Sequence, residues 1–146
     1  DGFEVVLQHL FGDSGFGTQI NATFVSGGDV EIDRYDTSRQ FILPGLGDSS
    51  NFSLFYEDTK ITARIALNTR GETIAGFGNY DQPLYVEERN QWDLSMAYNI
   101  NEDAVVFFEV QNLNDEPTRL YARYEEMLFL SQDHGPIHRL GFRYKF

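Results

Sequence analysis

Seven segments of the chain alternate apolar and polar residues with a period of two, and the links between them are by turns very short and very long. A strand sends successive side chains to opposite faces, so each segment reads as a strand with one apolar face and one polar face. The expected strands are Gly2 to Phe11, Phe16 to Ser26, Asn51 to Tyr56, Lys60 to Asn68, Gln91 to Asn99, Ala104 to Asn112 and Ile137 to Phe146. Gly12-Asp13-Ser14-Gly15, Glu57-Asp58-Thr59 and Asn101-Glu102-Asp103 have the residues of tight turns and close three hairpins. Between the hairpins lie three long stretches, Gly27 to about Ser50, Thr69 to about Asn90 and Leu113 to Pro136, read here as loops. If consecutive strands are antiparallel neighbours, every short turn falls at one end of the sheet and every long loop at the other. Outer-membrane barrels have this asymmetry, with short periplasmic turns and long extracellular loops.

The closing segment, IHRLGFRYKF, shows the two faces most clearly: His138, Leu140, Phe142, Tyr144 and Phe146 against Ile137, Arg139, Gly141, Arg143 and Lys145. A terminal Phe leaves a large apolar group without obvious cover in water, whereas an outward apolar face suits lipid. Ten-residue strands at about 3.3 Å per residue, tilted near 45°, rise about 25 Å, the height of a barrel's apolar band. The opposite face carries Arg64, Asp93, Glu109, Arg139, Arg143 and Lys145, too many charges for the dry interior of a small soluble barrel. The fold class expected is therefore all-β, an antiparallel meander of about seven strands forming the C-terminal part of a transmembrane β-barrel. Stepping back from a periplasmic C-terminus through seven strands starts the first one at the outer end. Single-chain bacterial barrels have an even strand count, so at least one further strand is expected before this segment.

A net charge of -12 with scattered basic residues argues against a nucleic-acid partner. Cysteine is absent, which excludes disulfides and thiolate chemistry. No apolar run is long enough for a membrane helix.

PGLGDSSNFSLFYEDTKITARIALNTRG, QWDLSMAYNINEDAVVFFEVQNLNDEPTRLYARY and the closing GFRYKF together resemble the C-terminal barrel region of TonB-dependent outer-membrane receptors. The NLNDEP segment at Asn112 to Pro117, the YED turn at Tyr56 to Asp58 and the terminal Phe146 carry most of the resemblance. The resemblance implies a barrel of about 22 strands closed by an N-terminal plug that this chain lacks. It also implies uptake of a scarce nutrient, such as an oligosaccharide or an iron-siderophore, energised through the TonB complex. The implied partners are outer-membrane lipid, the remaining barrel and plug, the barrel assembly machinery and a small-molecule nutrient ligand; no cofactor is implied. Leu140, Phe142, Tyr144 and Phe146 would serve as the signal read by the assembly machinery. The rival readings are a small self-contained outer-membrane barrel acting as an adhesin or pore, and a soluble β-barrel that binds an apolar or carbohydrate ligand.

No nucleophile elbow or phosphate loop is present, so catalysis is not expected. Asp29, Glu31, Asp33 and Asp36 carry calcium-type oxygen ligands without EF-hand spacing and read as a solvated loop. His9, His134 and His138 lack zinc-type spacing, and His138 is expected at the outer rim of the last strand. Asp93 and Glu109, facing each other across the third hairpin, are paired carboxylates. With Arg64, Arg139 and Arg143 on the same side, the expectation is an ion-pair network lining the lumen. Phe77, Tyr80 and Tyr85 in one loop, with Tyr121, Tyr124 and Phe129 in another, are candidates for stacking on sugar rings or covering an aromatic ligand. The competing and favoured reading is that these rings pack the loops together or belong to the outer aromatic girdle. Trp92 and Tyr98, at opposite ends of one strand, suit interface anchors.

Overall fold

The computed structural model describes residues 1–26, 32, 33, 35, 36, 38 and 40–146. Its strands are β1 (Gly2–Leu10), β2 (Phe16–Val25), β3 (Ser49–Glu57), β4 (Ile61–Arg70), β5 (Thr73–Phe77), β6 (Pro83–Val86), β7 (Arg89–Asn99), β8 (Ala104–Gln111), β9 (Thr118–Ala122), β10 (Leu128–Gln132) and β11 (Ile137–Tyr144). Seven of them form one sheet in the order β1-β2-β3-β4-β7-β8-β11, and the other four form a second sheet in the order β10-β9-β6-β5. Every pairing is antiparallel. The seven-stranded sheet is open and does not close into a barrel. No described helix is long and apolar enough to cross a membrane.

The seven strands are the seven period-two segments of the sequence. The last stops at Tyr144 rather than running to the terminus: the Lys145 amide donates to Asp103 O at 2.9 Å, and the Phe146 side chain stands free. The three tight turns share one end of the sheet. There the Glu57 amide donates to Gly15 O, the Asn99 amide to Lys60 O and the Lys145 amide to Asp103 O, each turn bonding the next strand along.

The long connections share the other end, and here the structure corrects the sequence reading. Two of them are not plain loops: the segment between β4 and β7 forms the β5–β6 hairpin, and that between β8 and β11 forms β9–β10. β6 and β9 join the two hairpins, pairing Tyr85 with Tyr121. Tyr85 and Tyr121 stack at 5.2 Å, and with Pro83, Thr73 and Ala122 they are buried. This is the most enclosed part of the described molecule.

The large sheet has no comparable cluster of buried rings: its buried side chains among the described residues are Ser53, Ala66, Ala104 and Val110. Directly opposed residues in antiparallel strands share a face, so the register assigns every side chain. One row runs Leu7, Ile20, Phe52, Leu67, Trp92, and the next runs His9, Thr18, Leu54, Ile65, Leu94, Val110, His138. A third runs Phe16, Tyr56, Ala63, Met96, Phe108, Leu140. This face is apolar across all seven strands, and much of it is uncovered: Leu140 is 77% exposed, Phe142 61% and Leu54 44%.

Candidate functional site

The opposite face of the same sheet collects the polar residues. Its central row is Phe55, Arg64, Ser95, Glu109, Arg139, and the row beside it places Ser53, Ala66 and Asp93 together. Ala66 and Ser95 are small, and the space above them is a hollow of ≈ 340 Å³ rimmed by Asn51, Arg64, Asn68, Asp93, Glu109, Gln111 and Arg139.

The charges expected to line a lumen therefore do share one face, but they do not form the expected network. Glu109 stands opposite Ser95, so Asp93 and Glu109 are not a directly opposed pair. Asp93 instead accepts three neutral donors: Gln91 Nε2 at 2.7 Å and the Asn112 amide at 2.9 Å on Oδ1, and Asn68 Nδ2 at 2.8 Å on Oδ2. Asn51 Nδ2 donates to Asn68 Oδ1 at 2.5 Å, extending an amide ladder across β3, β4 and β7. Of the expected ion pairs one is formed among the described residues, Arg139 to Glu109 at 3.7 Å, with both side chains about half exposed. Such a pair contributes at most about 1 kcal/mol. Arg64 and Arg143 have no ion-pair or hydrogen-bond partner among the described residues and face the open side.

Towards the turns, two aromatic rings flatten this polar face. Phe55 lies opposite Gly17, and Phe107 lies opposite Gly141. In each case a Cβ on the glycine would overlap the ring. The rings occupy the space that the missing side chains leave, which is why these two positions are glycine.

At the other end, the NLNDEP segment is a clip. Asn112 sits at φ 61, is buried, donates through Nδ2 to Glu116 O at 3.1 Å and accepts the Glu116 amide at 2.9 Å. Asn114 accepts the Trp92 amide at 2.9 Å and donates to Asn90 O at 2.7 Å. These bonds fasten the β8 exit to β7 and aim the chain toward β9. Nothing in strand periodicity flags them; the signal was the run of side-chain amides after a strand. The YED turn is similarly local: Asp58 accepts the Lys60 and Ile61 amides and the Tyr56 hydroxyl. The Tyr56 hydrogen bond, followed by those of the two amides, holds the Asp58 carboxyl below its usual value.

The six loop aromatics separate. Tyr85 and Tyr121 are buried against each other, with the Tyr121 hydroxyl on Glu72, so they build the small sheet rather than face a ligand. Tyr124 meets Tyr35 with ring centroids 6.4 Å apart, and Phe77 is half-buried. Tyr80 and Phe129 remain outward-facing; Tyr80, at φ 59 in the turn between β5 and β6, is 93% exposed. Of the four residues expected to act as an assembly signal, Leu140, Phe142 and Tyr144 lie on the apolar face of β11 and Phe146 lies beyond the strand. Trp92 and Tyr98 lie on that face toward opposite ends of β7, and His138 is at the long-connection end of β11, stacked on Phe108.

Of the acidic run, Asp29 and Glu31 lie outside the described residues. Asp33 accepts the Tyr35 amide, and Asp36 accepts the Ser38 amide and hydroxyl. Among the described residues no group of three or more His, Asp or Glu is arranged to hold a metal. No family model, curated protein or solved structure matches the chain.

Proposed function

We propose that this chain forms part of the wall of an outer-membrane β-barrel importer of the TonB-dependent receptor kind. One observation carries the reading: a seven-stranded antiparallel sheet with one apolar face, much of it exposed, and one polar face. In water, an apolar patch of that extent is costly and marks a surface that meets lipid or a partner. Against lipid it needs no second layer, and the polar face then lines an aqueous interior.

The end-to-end asymmetry supports the orientation proposed, with the tight turns periplasmic and the small sheet extracellular. β1 and β11, the two edges of the large sheet, run in the same direction because an odd number of antiparallel strands lies between and including them. Antiparallel closure of this sheet then takes an odd number of further strands. Within this reading the chain contributes a polar lumen wall and an external platform for a nutrient ligand, with energy supplied through TonB by parts of the receptor outside this segment. Catalysis has no part in it.

The test is assembly of the full-length protein. Deleting Phe146 lowers the amount of heat-modifiable receptor in the outer-membrane fraction and, with it, TonB-dependent uptake. Unchanged assembly removes the role given to the closing strand. A monodisperse, detergent-free monomer of the isolated chain contradicts the membrane assignment and favours the soluble rival.

A further inference from the structure

The small sheet has two edges, and the fold treats them differently. The outer edge of β5 is engaged, since the Gly45 amide donates to Ile74 O at 3.0 Å, and the strand presents Thr73, Ala75 and Gly76. β10 pairs with β9 on one side and has no strand partner on the other among the described residues. All five of its residues are exposed, on both faces, with Leu128 and Phe129 each 52% exposed and Met127 just before them exposed as well. An edge that offers free amides and carbonyls beside large apolar side chains is a template for strand addition. Proteins usually blunt such an edge with lysine, proline or a cover; β10 carries only a register shift between Leu128 and Leu130.

The charges select the occupant. Glu125 and Glu126 precede the strand and Asp133 follows it, all exposed. A second copy adding antiparallel to β10 would bring the glutamates of one chain to the aspartate of the other at both ends, a destabilising arrangement. We propose that the free edge of β10 receives an extended segment of a partner protein, apolar at its centre and basic at both ends, as an added strand. Main-chain hydrogen bonds hold it, Leu128, Phe129 and Leu130 contact its apolar centre, and Glu125, Glu126 and Asp133 meet its basic ends. The β10 edge and its flanking charges are the same whether the large sheet faces lipid or water.

The test titrates the full chain, in detergent micelles, with three fluorescent peptides that share an alternating valine–threonine centre. The first is flanked by lysines, the second by glutamates, and the third keeps the lysines but has proline at its centre. Cross-strand charge pairs and the blocked ladder each predict a preference of about fivefold or more for the first peptide over the others. The paired substitution Glu126→Lys and Asp133→Lys, at exposed positions outside the strand, reverses the preference between the first two. Overturning results are a proline peptide that binds within about twofold of the first, a charge preference unchanged in the variant, no binding, or a β10-to-β10 dimer.

Discussion

Leu54→Arg separates a lipid-facing sheet from a water-facing one by more than an order of magnitude. Leu54 is on the apolar face of β3, opposed to Thr18 on one side and Ile65 on the other. It is one residue from Ser53, the midpoint of the strand, which puts it about 2 Å from mid-depth at about 3.3 Å per residue and a tilt near 45°. It is 44% exposed, so no cavity or buried partner complicates the change. In water, an arginine at such a position alters stability by about 0.5 kcal/mol or less. At a bilayer midplane it costs about 2–4 kcal/mol, a factor of about 30 to 1,000 in the folding equilibrium. Thr62→Arg, on the polar face of β4 opposite Glu57 and Ala97, is the control and should stay within about 0.5 kcal/mol. The assay is reversible urea unfolding of the protein folded into lipid vesicles, followed by Trp92 fluorescence. Equal, small effects at both positions refute the assignment of the apolar face to lipid.

Gly141→Ala forces the Phe107 ring off the β11 backbone and should cost about 1–3 kcal/mol by the same assay, with Gly17→Ala acting alike through Phe55. Asn112→Ala removes both side-chain bonds to Glu116 and strains a positive φ, so a loss of about 1–3 kcal/mol is expected. Asn112→Gly relieves the φ yet still loses the bonds, and it should recover only part of that loss. Asp58 has a lowered pKa in the folded state, so its contribution is present above its ordinary value of 3.8 and is lost as pH falls through the folded value. Asp58→Asn should flatten that part of the acid dependence, measured as the change in unfolding midpoint between neutral and strongly acidic buffer.

The long strands were legible because each carries enough alternation to fix its face, and a one-residue slip would have turned Phe52, Leu54 and Tyr56 together to the wrong side. The small sheet was not. Thr73 to Phe77 contains Ala and Gly, Pro83 heads β6, and Leu128 to Leu130 is an unbroken apolar run with a register shift, so none shows a clean period of two. These four strands form because the β6–β9 pairing buries Tyr85 and Tyr121, a contact between residues far apart in sequence. The same limit applies to the polar face. Its membership could be read from alternation, but the partners of Asp93 depend on cross-strand register and on where Asn112 brings the chain, which composition does not encode.

The central claim, that one face of the large sheet meets lipid and the other water, is tested most directly along β4. The chain has no cysteine, so single cysteines from Ile61 to Asn68 can each carry a nitroxide in the vesicle-folded protein. Collision rates with oxygen should peak at Ile61, Ala63, Ile65 and Leu67, and those with a water-soluble nickel chelate at Thr62, Arg64, Ala66 and Asn68. The inverse phase, or the absence of a two-residue period, contradicts the account.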